Sequence, residues 1–267
     1  MKIILFSKMF QSMPMEGFAD LAASMGFEGI DLTVRPGGYI EPSSVSEKLV
    51  EAVDIFRSRG LTVPMITTSI TSSDEPHAKE VFSIASRLGV EYVKLGYWRY
   101  MGFGYLRKQI EDIRRSLKGI EKLCREYSIT AGLHTHSGMY MTAEPAILGS
   151  ILEGFDPEYI GAYIDPGHMA VEGGLAGWLM GMDMLSDRIV MVAVKDFGWF
   201  KTERGWVAHT VPLGEGLVPW SKVFEILRSI GFEGPVSLHS EYDESIDKII
   251  DITRRDIAYI RKIICSL

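Results

Sequence analysis

The chain has 267 residues, and 28 Lys and Arg against 35 Asp and Glu leave a net charge of −7. Charged residues make up 24% and hydrophobic ones 46%, ordinary globular proportions for a length that suits one well-cored α/β barrel. The acidic balance, without a basic run, argues against nucleic acid as a partner. No apolar run reaches the ~18–20 residues of a membrane span, and the start, MKIILFSK, is too short an apolar stretch for a signal peptide, so a soluble, cytoplasmic protein is expected.

In chain order, β-branched runs alternate with amphipathic stretches. The runs are IILFS (3–7), GIDLT (29–33), LTVPMIT (61–67), YVKLG (92–96), ITAGLH (129–134), YIGAYID (159–165), RIVMVAVKD (188–196) and PVSLHSE (235–241). Between them, Leu106, Ile110, Ile113, Leu117, Ile120 and Leu123 recur at steps of three and four, which predicts a helix over 105–127 with one buried stripe. The same spacing predicts helices over 220–230 and in the C-terminal segment from Ile246 to Ile264. Gly26, Gly60, Gly89 and Gly231 fall where helices must stop before strands. Cys124 and Cys265 sit in helix-like patterns far apart in sequence, which points to neither a disulfide framework nor a zinc site.

Eight βα units without an interdomain linker predict a single (β/α)8 barrel over residues 1–267. A doubly wound nucleotide-binding sheet would carry a glycine-rich turn after the first strand, and SKMFQSMP is unlike one. The active site of such a barrel lies at the C-terminal ends of its strands. His134 and His136 follow the fifth strand, His168 the sixth, and His239 falls in the eighth; His209 lies in the connection after the seventh. Asp31, Asp165, Asp196 and Glu241 join them at strand ends.

Strand alternation places His134 with His136, and His239 with Glu241, on shared faces that converge on Asp165 if those faces look inward. A mixed set of imidazoles and carboxylates suits a transition metal, whereas any one of these histidines taken singly reads as a hydrogen-bonded rim residue. Lys195, two residues after Ala193, reads either as a stabiliser of an enolate oxygen or as one half of an ion pair with Asp165 or Glu241. Lys94 is a weaker case of the same kind. Arg35 and Arg99 follow the second and fourth strands, as clamps for a carboxylate, phosphate or sugar hydroxyl or as loop ties. Tyr97, Trp98, Trp199, Phe200 and Trp206 are candidates to stack on a sugar or to pack a lid or a subunit contact.

GFEGIDLTVRPGG, AGLHTHSG, YIDPGHMAVEGG, VAVKDFGW, PLGEGLVPW and VSLHSEY, in that order, resemble the xylose isomerase-like TIM-barrel family, which includes sugar isomerases and epimerases, inosose dehydratases and endonuclease IV. The resemblance implies a divalent metal (Mn, Co, Zn, Mg or Fe) held by a Glu, an Asp, a His and a Glu on the fifth to eighth strands. Asp165 matches the Asp, Glu241 the last Glu (or His239, with a shift of two), and His168 the His of the DxxH motif. Two positions depart: His134 stands for the first Glu and Ala193 for the His. The ligands expected here are therefore His134, Asp165, His239 and Glu241. His134, His136, Lys195 and Glu241 are the expected catalytic groups, and Asp31, Arg35, Arg99, His168 and Trp199 the expected substrate contacts.

The family's shared chemistry is removal of a proton next to a carbonyl. The resemblance implies a metal-assisted isomerase or epimerase acting on a small-molecule carbohydrate, in a chain that forms a homo-oligomer, as isomerases of the group often do. A lyase or dehydratase acting on a keto-sugar or inosose through the same enolate, or a sugar-binding barrel without catalysis, stands as the alternative. A DNA-repair nuclease is disfavoured by the charge of −7.

Overall fold

The β-branched runs bury both faces and pair in parallel, which requires helices outside and a filled interior within. The computed structural model describes residues 1–203 and 205–267. In chain order the elements are β1 (Lys2–Phe6), α1 (Met15–Ser24), β2 (Gly29–Thr33), α2 (Val45–Arg57), β3 (Thr62–Thr67), α3 (Ala78–Arg87), β4 (Tyr92–Lys94), α4 (Leu106–Tyr127), β5 (Thr130–His134) and α5 (Pro145–Leu152). They continue with β6 (Ile160–Ile164), α6 (Pro166–Met184), β7 (Ile189–Val194), β8 (Asp196–Thr202), β9 (Gly205–Val211), α7 (Trp220–Ser229), β10 (Pro235–Leu238) and α8 (Ile246–Ser266). Eight of the strands close a barrel in the order β1-β10-β7-β6-β5-β4-β3-β2.

The predicted strand starts hold to within a residue, but the predicted ends run too far. Lys195, His239 and Glu241 lie beyond their strands, and His136 follows β5 instead of sharing its face. The four predicted glycine stops adopt left-handed φ of 81°, 74°, 76° and 70°, a region that other residues enter only at a cost. Ile4, Met65, Tyr163, Met191 and Ala193 form an apolar plug inside the barrel, beneath the mouth. A larger core fills the layer between strands and helices, where α7 contributes Val223, Phe224 and Leu227.

The sequence reading missed an antiparallel hairpin, β8 with β9, which stands off the barrel after β7. The segment after it, 212–219, is tied down by Asp196. Its carboxylate accepts from the backbone N–H of Phe197 (2.9 Å), Gly214 (3.1 Å) and Val218 (3.1 Å) and from Trp220 Nε1 (3.1 Å). The packing is close enough that a Cβ on Gly216 would lie 2.2 Å from the Asp196 carboxylate. Asp196→Ala leaves these buried donors unpaired and is expected to cost about 2–4 kcal/mol, read from urea unfolding. Asp196→Asn, which keeps one acceptor oxygen, should recover part of the loss; equal stability of all three proteins would refute this role.

Candidate active site

The DPGH segment explains how the mouth is built. Asp165 caps the N-terminus of α6, its Oδ1 accepting from the His168 backbone N–H at 3.1 Å, with Pro166 in the first turn. Gly167 is required because a Cβ there would lie 2.3 Å from the Lys195 carbonyl. The cap therefore locks α6 onto the end of β7 and leaves the second carboxylate oxygen, Oδ2, facing the mouth.

Around Oδ2 stand three nitrogens: His134 Nε2 at 3.4 Å, Lys195 Nζ at 3.5 Å and His168 Nε2 at 3.8 Å. Lys195 Nζ donates to Glu241 Oε2 at 2.7 Å, so one ammonium bridges the two carboxylates. Lys8 also pairs with Glu241, through Oε1. Burial opposes the charge on Lys195, but Glu241 and Asp165 outweigh it and hold its pKa above the ordinary lysine value. Burial would likewise raise Glu241, but Lys195, with His239 and Lys8, keeps its carboxyl well below the usual carboxylate range. Both the ion-pair and the enolate-stabilising readings of Lys195 remain open to the same ammonium.

The imidazoles are set by their other ring nitrogens. Tyr97 OH lies 2.7 Å from His134 Nδ1, and Ser137 Oγ 2.7 Å from His168 Nδ1. A hydroxyl can donate or accept, so these contacts fix the ring positions and not the tautomers, and each Nε2 lies near Asp165 Oδ2 without a hydrogen bond. His136 differs: its Nδ1 lies 2.9 Å from the Ser137 carbonyl, which only accepts. Its proton is therefore on Nδ1 and its Nε2 is bare. Burial is the main cause that lowers the pKa of all three, well below the usual value for His134 and His168. Burial thus favours the neutral form of each ring. His239 stacks on Phe6 at 4.3 Å and meets Tyr163 OH through Nε2 at 2.9 Å.

His134, His136, Lys195, His239 and Glu241 line one cavity of about 70 Å³, together with Arg35. The other expected contacts lie elsewhere. Asp31 is fully buried beneath the cavity, accepting from Thr67 Oγ1 (2.8 Å) and Ser237 Oγ (2.9 Å). His168 is buried behind Asp165, Arg99 is an exposed residue outside the cavity lining that faces the Tyr140 ring, and Trp199 is 43% exposed on β8. Sequence reading passed over Tyr163 and Thr67 as cavity residues, and Lys8 entirely. The inward alternation of Tyr163 with Asp165 carried that information, whereas nothing in the first loop marked Lys8.

Residues 19–263 match the profile of the xylose isomerase-like TIM barrel family. The chain belongs to that family. An uncharacterised protein of Methanocaldococcus jannaschii is 23% identical over 208 residues, 77% of this chain; the match spans 62% of that relative's length. Among solved structures, 3-keto-D-glucoside 4-epimerase YcjR from E. coli superposes with a TM-score of 0.75 at 15% identity, covering 98% of this chain and 99% of that one. The probable 3-DHS dehydratase AsbF from Bacillus anthracis gives 0.73 at 17%, covering 97% and 99%. A xylose isomerase-like TIM barrel protein from Mycobacterium smegmatis, in complex with magnesium, gives 0.73 at 15%, covering 99% and 97%. At these identities the likeness to the solved structures is one of fold.

The divalent metal implied by the resemblance does not fit the residues as they stand. Among the described residues no three His, Cys, Asp or Glu are grouped as a bound ion would group them. Lys195 already supplies a cation between the two carboxylates, and β7 turns the methyl of Ala193, not an imidazole, into the barrel. His134 Nε2, Asp165 Oδ2, His168 Nε2 and His239 Nδ1 are buried without hydrogen-bond partners, and the Lys195 ammonium lies among them, 3.5 Å from Asp165 Oδ2. Long-range ¹H–¹⁵N spectra of labelled protein are expected to show His136 as the Nδ1–H tautomer. An Nε2–H tautomer at His136 would overturn the assignment.

Proposed function

We propose that this pocket transfers a proton at a carbon next to a carbonyl of a carbohydrate-derived substrate, as an isomerase or epimerase does. The observation that carries the reading is the fixed tautomer of His136: a bare, neutral Nε2 in the same cavity as a permanently charged ammonium. A base with a pKa not far from the working pH needs a nearby positive group to hold the negative charge it creates. His136 Nε2 takes the proton from carbon, the C–H electrons form a C=C bond, and the carbonyl electrons move to oxygen, where Lys195 N–H groups stabilise the enolate. Return of the proton to the former carbonyl carbon, as the hydroxyl proton on the first carbon passes to the former carbonyl oxygen, gives an isomer; protonation of the first carbon on its other face by a second donor, His136 keeping the proton it took, gives an epimer. Glu241 keeps Lys195 charged and positioned, and His134 and His168 lie beside Asp165.

The family and the named epimerases and dehydratase among the similar structures support a sugar-modifying activity of this type. In this reading Lys195 takes the place that the resemblance gives to a divalent ion. Protein purified without chelator is expected to carry substoichiometric metal by mass spectrometry. One equivalent of retained Mn, Co, Zn, Mg or Fe, lost in Asp165→Asn, would transfer that role to a metal.

Activity is read as solvent-deuterium uptake at carbon across a panel of keto-sugars and their acids and phosphates. His136→Ala is expected to lower exchange by roughly 10²–10⁴-fold and Lys195→Met by about 10²–10³-fold. Full exchange in both variants, or none in the wild type across the panel, would sink the reading; deuterium uptake with loss of water would make the enzyme a lyase. Because His136 acts unprotonated and burial lowers its pKa, the acid limb of kcat/KM is expected to have its midpoint below the ordinary imidazole value of about 6.5. A limb centred above 7 would assign the base to another group.

A further inference from the structure

Two of the cavity's cations are spoken for, Lys195 by Glu241 and Asp165, and Lys8 by Glu241. Arg35, which follows β2, and Lys94, the last residue of β4, line the same cavity. Among the described residues neither has a carboxylate within ion-pair distance, and Glu241 is the one carboxylate that lines the cavity. Lys94 is 2% exposed, with its Nζ 3.5 Å from the centre of the Tyr97 ring. A ring face attracts an ammonium by about 0.5–2 kcal/mol, short of the several kcal/mol that removing an ammonium from water costs. Burial, followed by the charge of Arg35, accordingly holds the Lys94 pKa well below the ordinary value, against weaker support from Asp31 and Glu241.

The barrel order gives these two cations a common side. β3 separates β2 from β4, and its Thr67, which is register-paired with Thr33 on one side and Lys94 on the other, also lines the cavity. β7, which leads into Lys195, is three strands from β4 and on the other flank of the mouth. A substrate whose carbonyl meets Lys195 and His136 thus extends towards Arg35 and Lys94.

We propose that the β2–β4 side of the mouth is an oxyanion subsite, in which Arg35 and Lys94 hold a carboxylate or phosphate of the substrate, so that the enzyme acts on a sugar acid or sugar phosphate and not on a neutral sugar. This rests on the reading of the cavity as a carbohydrate site. The arriving oxyanion supplies the missing counter-charge, and Lys94 takes up a proton as it binds. Arg35 matches either group with two parallel N–H donors, and Lys94 adds a point charge.

The test is calorimetric titration of the full chain with a 2-keto-aldonate, a ketose phosphate and the neutral ketose of equal length, with inorganic phosphate as a fourth probe. One of the organic anions is expected to bind at least 10-fold tighter than the neutral ketose, more weakly as salt rises, and with proton uptake seen as a buffer-dependent enthalpy. The carboxylate and phosphate arms tell the two sources apart, and inorganic phosphate shows whether the anion alone is recognised. Arg35→Met and Lys94→Met should each weaken the preferred anion 10-fold or more and the neutral ketose by clearly less; proton uptake should vanish only in Lys94→Met. Equal affinity for charged and neutral sugars, or folded variants that keep the anion's affinity, would overturn the proposal. If Lys94→Met fails to fold by circular dichroism, the partly exposed Arg35→Met decides alone. Anion binding without deuterium exchange refutes the proton-transfer reading and leaves the subsite standing. Exchange in neutral ketoses, with no preference for either anion, does the reverse.

Discussion

The ammonium of Lys195, held between Asp165 and Glu241, is the interaction on which the mouth of this barrel depends. A charge this deeply buried persists only where opposite charges surround it, because each desolvated ion costs several kcal/mol. Here the anions come from the ends of β6 and β10 and the cation from the end of β7, so the charge set ties three neighbouring strands. Asp165 divides its two oxygens between these tasks, one capping α6 and one facing the ammonium. The next residue along from Lys195 turns the other way: Asp196 leaves the axis and organises the segment before α7. The KD pair thus holds the site with one residue and the wall beside it with the other.

The same charge set separates two chemical roles that would otherwise cancel. An ammonium beside an imidazole suppresses protonation of the ring, and Lys195 contributes to lowering His134, His136 and His168 alike. His136 keeps a bare Nε2 because its Nδ1 is tied to a carbonyl, whereas His134 and His168 meet hydroxyls at Nδ1. A base and a permanent positive charge coexist at close quarters without the proton of one passing to the other. One solved structure of the same fold is a magnesium complex. Ala193 is the residue of β7 that withholds a ligand here.

The barrel was legible because its determinants are local. Strand runs apolar on both faces, helix stripes at steps of three and four, and glycines at left-handed helix stops each report on their own neighbourhood. The hairpin β8–β9 escaped because its faces do not alternate: Trp199, Phe200 and Trp206 are exposed, and its ladder is not set by a buried side. Strand ends were drawn too long at His239 and Glu241, since inward-pointing polar residues continue the alternation after the ladder has ended. Which end-of-strand residues gather was partly legible. His134, Lys195 and Glu241 come together as the pattern implies, but Asp31 serves hydroxyls below the cavity and Arg99 and Trp199 stay outside it. A sequence states that a residue leaves a strand near the mouth; the rotation of the following turn, fixed by packing, decides where it points.

Charge is distributed unevenly around the mouth, and this asymmetry can orient a substrate. On the β7–β10 flank every cation is matched by a carboxylate, so that flank is rigid and close to neutral. On the β2–β4 flank Arg35 and Lys94 face the cavity against Thr67 and the Tyr97 ring, and the acid on that side, Asp31, is fully buried and hydrogen-bonded to Thr67. Coulombic attraction acts over a longer range than hydrogen bonding, so an anionic group is drawn first to the unmatched flank. The neutral, hydrogen-bonding end of the molecule is then left to the matched one. Tyr97 links the flanks, its ring beneath Lys94 and its hydroxyl on His134. An anion that holds Lys94 in its charged form strengthens the contact with that ring.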